Sequence, residues 1–130
     1  MRPHVYLTAF IGASGVIAGA FGAHALKENL TEWGTWATWQ TAVQYHLLHA
    51  PALLAASLYA TDSTAARRWL TRACVCWSLG VALFSGSLYG LAVGGPRWLG
   101  PITPLGGVLL IAGWLCVAGA TPKRNDAPSA

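Results

Sequence analysis

Four apolar stretches, Val5–Gly22, Val43–Tyr59, Val75–Val93 and Leu105–Ala120, hold no acidic or basic side chain apart from two histidines, and nothing else in the chain constrains its fold so tightly. Crossing a hydrocarbon core of ~30 Å takes ~20 mostly apolar residues per helix. Four such helices with short loops use nearly all of the 130 residues. The expected fold is therefore all-α, an integral membrane four-helix bundle with a short interfacial helix before the second span. Residues 1–121 would form a single transmembrane domain, and 122–130 a mobile cytoplasmic tail rich in polar residues and proline with nothing to bury. A soluble domain carries roughly 25% charged residues, whereas this chain carries 9%.

The seven tryptophans and four tyrosines lie mostly near the ends of the apolar stretches, as an aromatic belt requires. Arg2, Arg67, Arg68, Arg72, Lys123 and Arg124 fall on one side of a four-helix path, against Lys27 and Arg97 on the other. By the positive-inside rule this places both termini and the loop Thr61–Trp69 in the cytoplasm and the other two loops outside. The expected location is the bacterial inner membrane. The net charge of +4 is no nucleic-acid footprint, because the basic residues form no face interleaved with stacking aromatics. Arg2, the first apolar run and Ala23-His24-Ala25 also fit a cleavable signal. The run is longer than a usual signal core, and its loss would spoil the charge pattern, so the first helix is expected to be retained.

Gly12, Gly15, Gly19 and Gly22 follow one another at spacings of three, four and three, which places them on one stripe. Such stripes let helix backbones approach closely in lipid, where the hydrophobic effect cannot drive association. The stripe can meet small residues of the third and fourth spans (Gly80, Gly86, Gly90, Gly106, Gly113) or a second subunit. Cys74, Cys76 and Cys116 fall on the cytoplasmic side, where thiols stay reduced. Cys74 and Cys76, two apart, point to different faces, so a redox or metal pair between them is not expected.

Between the first two spans, Asn29–Gln40 carries Trp33, Trp36 and Trp39 and is too polar to cross lipid. An interfacial helix capped by Thr31 is expected there, with the second span starting at about Thr41. Pro51 cannot donate to the Leu47 carbonyl, so a kink is expected. Thr103-Pro104 reads as an N-cap followed by the first residue of the fourth helix.

The chemistry that the chain can offer lies in a polar stripe on the second span. Thr38, Thr41, Tyr45 and His49 follow at spacings of three, four and four, with His46 beside them. His46 and His49 would lie about 7 to 12 Å below the outer surface at 1.5 Å per residue. Ser85, Ser87 and Tyr89 of the third span reach a similar level, and His24 ends the first. A candidate cluster of His24, Tyr45, His46, His49, Ser85, Ser87 and Tyr89 results. One reading makes the histidines neutral hydrogen-bonding pins between helices. The other makes His24, His46 and His49 a nitrogen-rich site for copper or zinc, an axial haem site, or a proton path. No cofactor is the leading expectation. No phosphate-cradling loop, Cys-x-x-Cys pair, carboxylate dyad or Ser-His-Asp set is present, so catalysis is not expected.

The strings GAFGAHALK (Gly19–Lys27), TAVQYHLLHA (Thr41–Ala50), FSGSLY (Phe84–Tyr89), LGPITPLGG (Leu99–Gly107) and IAGW (Ile111–Trp114) resemble the small membrane proteins grouped as domain of unknown function 423. The resemblance covers about residues 5 to 120 in the same order and spacing. It implies a four-helix inner-membrane protein, with relatives in mitochondria-bearing organisms, and brings no assigned activity or ligand. His24, Tyr45, His46, His49, Ser85, Ser87, Tyr89, Pro101, Thr103 and Pro104 match positions that the family pattern features. Pro51 departs from it. The function expected is that of a non-catalytic packing or accessory subunit, as a homo-oligomer or within a larger membrane complex in the lipid bilayer. The alternative is a histidine cluster that binds metal or haem or serves proton-coupled passage of a small solute.

Overall fold

The computed structural model describes residues 2–59 and 62–121; the tail 122–130 and Thr61 of the loop before the third span lie outside them. The elements are α1 (Arg2–Ala23), a short α2 (Lys27–Glu32), α3 (Trp36–Leu58), α4 (Thr64–Ala92), a 3-10 turn at Arg97–Leu99, and α5 (Ile102–Gly119). No strand occurs among the described residues. Three segments, His4–Ala23, Thr64–Ala92 and Arg97–Gly119, are long and apolar enough to cross a membrane. The fourth long helix, α3, has 23 residues, about 35 Å at ~1.5 Å per residue, so its length also suffices. Its polar residues lower its hydropathy, and its position explains how it tolerates them: Trp39, Ala42, Val43, His46, His49, Ala50 and Leu53 are buried against protein rather than lipid.

The long helices pack in the order α1–α3–α4–α5, with α3 and α4 central and α1 and α5 flanking them. The result is an open bundle, since α1 and α5 share no substantial contact. One end of the bundle, the α2 end, carries α2 and the 3-10 turn. The start of α1, the end of α3, the start of α4 and Thr121 share the opposite, terminal end.

Small residues set both flanking contacts. Along α1, Gly12 faces Ala50, Gly15 faces Leu47 and His46, Gly19 faces Val43, and Gly22 faces Trp39. The glycine stripe thus lies on α3, with the α3 residue numbers falling as the α1 numbers rise. Between α4 and α5, Gly80 meets Leu110, Gly106 meets the Phe84 backbone, Gly113 meets Trp77, and Gly119 meets Trp69. Because lipid tails are as apolar as leucine, this close packing supplies the attraction that water supplies elsewhere. Ile11, Ala50, Leu53, Trp77, Val81 and Leu110 form the main core.

Two left-handed glycines shape the α2 end. Gly94 (φ 82°) follows α4, with Gly95 N–H donating to the Gly90 carbonyl and Gly94 N–H to that of Leu91. Gly34 (φ 69°) follows α2 in the same way, with Thr35 N–H on Leu30 and Gly34 N–H on Thr31. Both are Schellman endings, which need a residue free of Cβ strain at that position. The Thr35 hydroxyl then donates to the Ala92 carbonyl at 2.7 Å, joining the α2–α3 turn to the end of α4.

Three local expectations are corrected. Thr31 lies inside α2 and donates to the Lys27 carbonyl instead of capping the helix, and α3 starts at Trp36, five residues before Thr41. The Schellman turn at Gly34 reverses the chain early enough for Trp36–Gln40 to join the span. Pro51 lies inside α3, which continues as helix on both sides of it. Thr103 is the second residue of α5, whose N-cap is Pro101, so Pro104 stands third, still within the first turn whose N–H groups lack intrahelical partners.

Candidate functional site

His46 occupies the junction of three helices. Its Nδ1 lies 3.1 Å from the Tyr89 hydroxyl of α4, and its Nε2 lies 3.3 Å from Ser14 Oγ of α1. The Ser14 hydroxyl donates to the Phe10 carbonyl at 2.8 Å, so its oxygen is left to accept from Nε2–H. The network therefore assigns a proton to Nε2 and lets Tyr89 O–H donate to Nδ1. A directed chain runs from Tyr89 through His46 to Ser14 and Phe10, crossing from α4 to α1.

His49 takes the opposite tautomer on the other side of α4. Trp114 Nε1–H of α5 donates to its Nε2 at 3.2 Å, which leaves Nδ1–H to donate to the Tyr45 carbonyl at 2.7 Å. The ring is 2% exposed, with Trp77 and Trp114 at centroid distances of 6.1 Å each. The acceptor is Tyr45, one turn before it, and not the Leu47 carbonyl opposite Pro51. In both histidines each ring nitrogen has a protein partner.

The other candidates divide between these junctions. Ser85 donates to the Ala42 carbonyl of α3 at 2.8 Å. The Ser87 hydroxyl lies 2.7 Å from that of Thr103 on α5. Tyr45 is partly exposed, its ring against Phe84 and nearly parallel to His49. His24 is exposed in the turn after α1, so His24, His46 and His49 do not converge. An i, i+3 offset turns the two span histidines by about 60°, enough to send one toward α1 and the other toward α5. No group of three or more metal-ligating side chains occurs among the described residues.

Sequence reasoning missed Ser14, Trp77 and Trp114. Ser14 gave no periodic signal, since it stands beside the glycine stripe. Trp77 gave none either: it stands two residues inside the apolar stretch that starts at Val75, where a belt tryptophan is expected, and only the extension of α4 back to Thr64 places it mid-helix. Its Nε1 is buried with no partner among the described residues and packs against Gly113. The thiols also sort by face, with Cys74 3.9 Å from Ser57 and Cys76 near Cys116 of α5. The charges stay at the ends, where the Arg72 guanidinium stacks 4.8 Å over the Trp69 ring.

A family model described as "Protein of unknown function (DUF423)" matches residues 18–107, more than half of the chain. The chain belongs to the DUF423 family. Its relatives include a UPF0382 membrane protein of Staphylococcus epidermidis, 38% identical over 125 residues, which cover 95% of this chain and 98% of that one. The UPF0382 membrane protein YwdK of Bacillus subtilis is 39% identical over 128 residues, with 95% and 98% covered. No solved structure matches the chain significantly. The segment matched by the DUF423 model contains His46, His49 and Tyr89, whereas Ser14 and Trp114 fall outside it.

Proposed function

We propose that this membrane protein is a non-catalytic packing subunit of the bacterial inner membrane, with cytoplasmic termini, whose histidines pin helices together. The observation that carries this reading is that all four imidazole nitrogens of His46 and His49 are engaged by protein partners. A metal or haem iron would have to break one of these bonds and strand a donor or acceptor at membrane depth, at ~1–3 kcal/mol for each unsatisfied group. The open order α1–α3–α4–α5 encloses no path from end to end, so passage of a solute would need further subunits. It also leaves α1 and α5 with large apolar residues exposed, among them Phe10, Ile17, Val108 and Ile111, free to meet lipid, a second copy or another membrane protein. The excess of basic residues at the terminal end supports the orientation.

The test is purification of the wild type and a His46→Ala/His49→Ala variant in nanodiscs, with mass measurement, metal analysis and an absorption spectrum. The expected result is an oligomer or a stable co-purifying membrane protein, no stoichiometric metal and no Soret band, and a destabilised variant. A metal or haem lost in the variant would overturn the packing role.

A further inference from the structure

Helices α3 and α5 both pack on α4 but not closely on each other, and toward the terminal end they leave a groove of about 400 Å³ between them. Nothing in the packing role requires it. Ala52 and Tyr59 of α3 stand at the two ends of one wall, Trp114 and Thr121 of α5 at the two ends of the other, and Leu70 of α4 lies in the floor. Tyr59 is the C-cap of α3 and Thr121 follows the C-cap of α5, so this end of the groove is at the terminal surface. Ala52 and Trp114, seven residues before them, lie ~10 Å deeper at ~1.5 Å per residue. There Trp114 Nε1–H donates to His49 of α3, and this bond from α5 to α3 closes the inner end. The groove therefore opens at the surface and stops within one leaflet, whose hydrocarbon is ~15 Å deep in a core of ~30 Å.

Depth and charge select the occupant. A spanning helix of another subunit needs a seat along the full ~30 Å, and this one ends after ~10 Å. An acyl chain enters from the surface and ends inside its leaflet. The hydroxyls that line the groove, those of Tyr59 and Thr121, both stand at the mouth, and its deeper walls are alanine, valine and tryptophan. A smaller hollow shares Ala56, Tyr59 and Leu70 with the groove and adds His4 and Arg67, so Arg67 adjoins the mouth. Arg67 stands one turn before Leu70 on the same face of α4, whereas Arg68 and Arg72, each two residues from Leu70, are turned ~160° away from it. Neither hollow is lined by a carboxylate. A phosphate at the mouth would meet the planar fork of guanidinium donors that suits it.

We propose that this groove is a binding site for one acyl chain of an anionic phospholipid, whose phosphate is held at the mouth by Arg67. The test uses the full chain in phosphatidylcholine nanodiscs doped with a phosphatidylglycerol that bears a diazirine in one chain, with the labelled residues mapped by mass spectrometry. Label is expected on Ala52–Tyr59 and Trp114–Thr121, and unlabelled phosphatidylglycerol should remove it about fivefold more effectively than added phosphatidylcholine, the preference that one basic residue near the surface supplies. Arg67→Gln should abolish that preference, while Arg68→Gln, an equal loss of charge on a different face, should keep it. Ala55 is exposed in the groove wall, so Ala55→Phe should fill the groove and lower its labelling with the thermal midpoint kept. Ala120→Phe fills it from α5 and serves as the second variant. Label spread evenly over lipid-facing residues such as Val108 and Ile111, equal competition by the two lipids, equal effects of the two arginine variants, or labelling indifferent to both folded phenylalanine variants would overturn the site and leave only annular lipid. Groove residues left unlabelled in a particle whose mass shows a further subunit would overturn it as well and give the groove to protein.

Discussion

Tyr89 and Trp114 each supply one proton that decides what a histidine can do. Tyr89→Phe leaves His46 Nδ1 as a buried acceptor without its donor, and Trp114→Phe does the same to His49 Nε2. Each is expected to cost ~1–2 kcal/mol, read by equilibrium unfolding in mixed micelles. A loss below the scatter of the measurement would show that these bonds hold nothing in place. Glycine substitutions form a second series, ranked by what each new Cβ meets. Gly106→Ala drives it into the Phe84 backbone, which cannot yield, whereas Gly15→Ala meets the far end of the flexible Leu47 side chain and Gly86→Ala meets nothing. The expected order of destabilisation is Gly106, then Gly15, then Gly86, with the first above ~1 kcal/mol and the last within ~0.5 kcal/mol. Equal losses would contradict the helix contacts described.

Among the elements, the α4–α5 pair has the most closely defined register. Trp77 against Gly113 and Trp69 against Gly119 bracket Cys76 and Cys116, which lie near each other, while Cys74 turns to Ser57. Copper-phenanthroline oxidation is expected to remove two of the three maleimide-reactive thiols within one wild-type chain and both of those left in Cys74→Ser, but neither of those left in Cys76→Ser. Loss of the Cys74 thiol instead would mean a register shifted along α4. The helices themselves were legible in the sequence because long uncharged apolar runs have few alternatives. Their ends were less so, since Thr31 and Thr103 carry cap chemistry, yet Gly34 and Pro101 decide where the chain turns. The glycine spacing of α1 identified a packing face but not its partner. For the polar cluster, spacing placed His46 and His49 on one side of α3, but whether a 60° offset unites or separates two rings depends on which helices flank them. His24 was set apart by the turn that follows α1, a bend that no local pattern announced.

At the scale of the whole molecule, the basic residues of the terminal end predict one orientation. In a variant with the native cysteines replaced, a cysteine introduced as Trp98→Cys should react with an impermeant maleimide added outside intact cells, and one introduced as Asp62→Cys should not. The reverse pattern would invert the topology. The row of four helices with both histidines used as pins is the claim on which the packing role stands, and nitrogen-15 NMR of the labelled imidazoles in nanodiscs tests it most directly. His46 should carry its proton on Nε2 and His49 on Nδ1, with neither resonance moved by one equivalent of zinc or copper. Reversed tautomers, or ring signals lost on adding the metal, would contradict it.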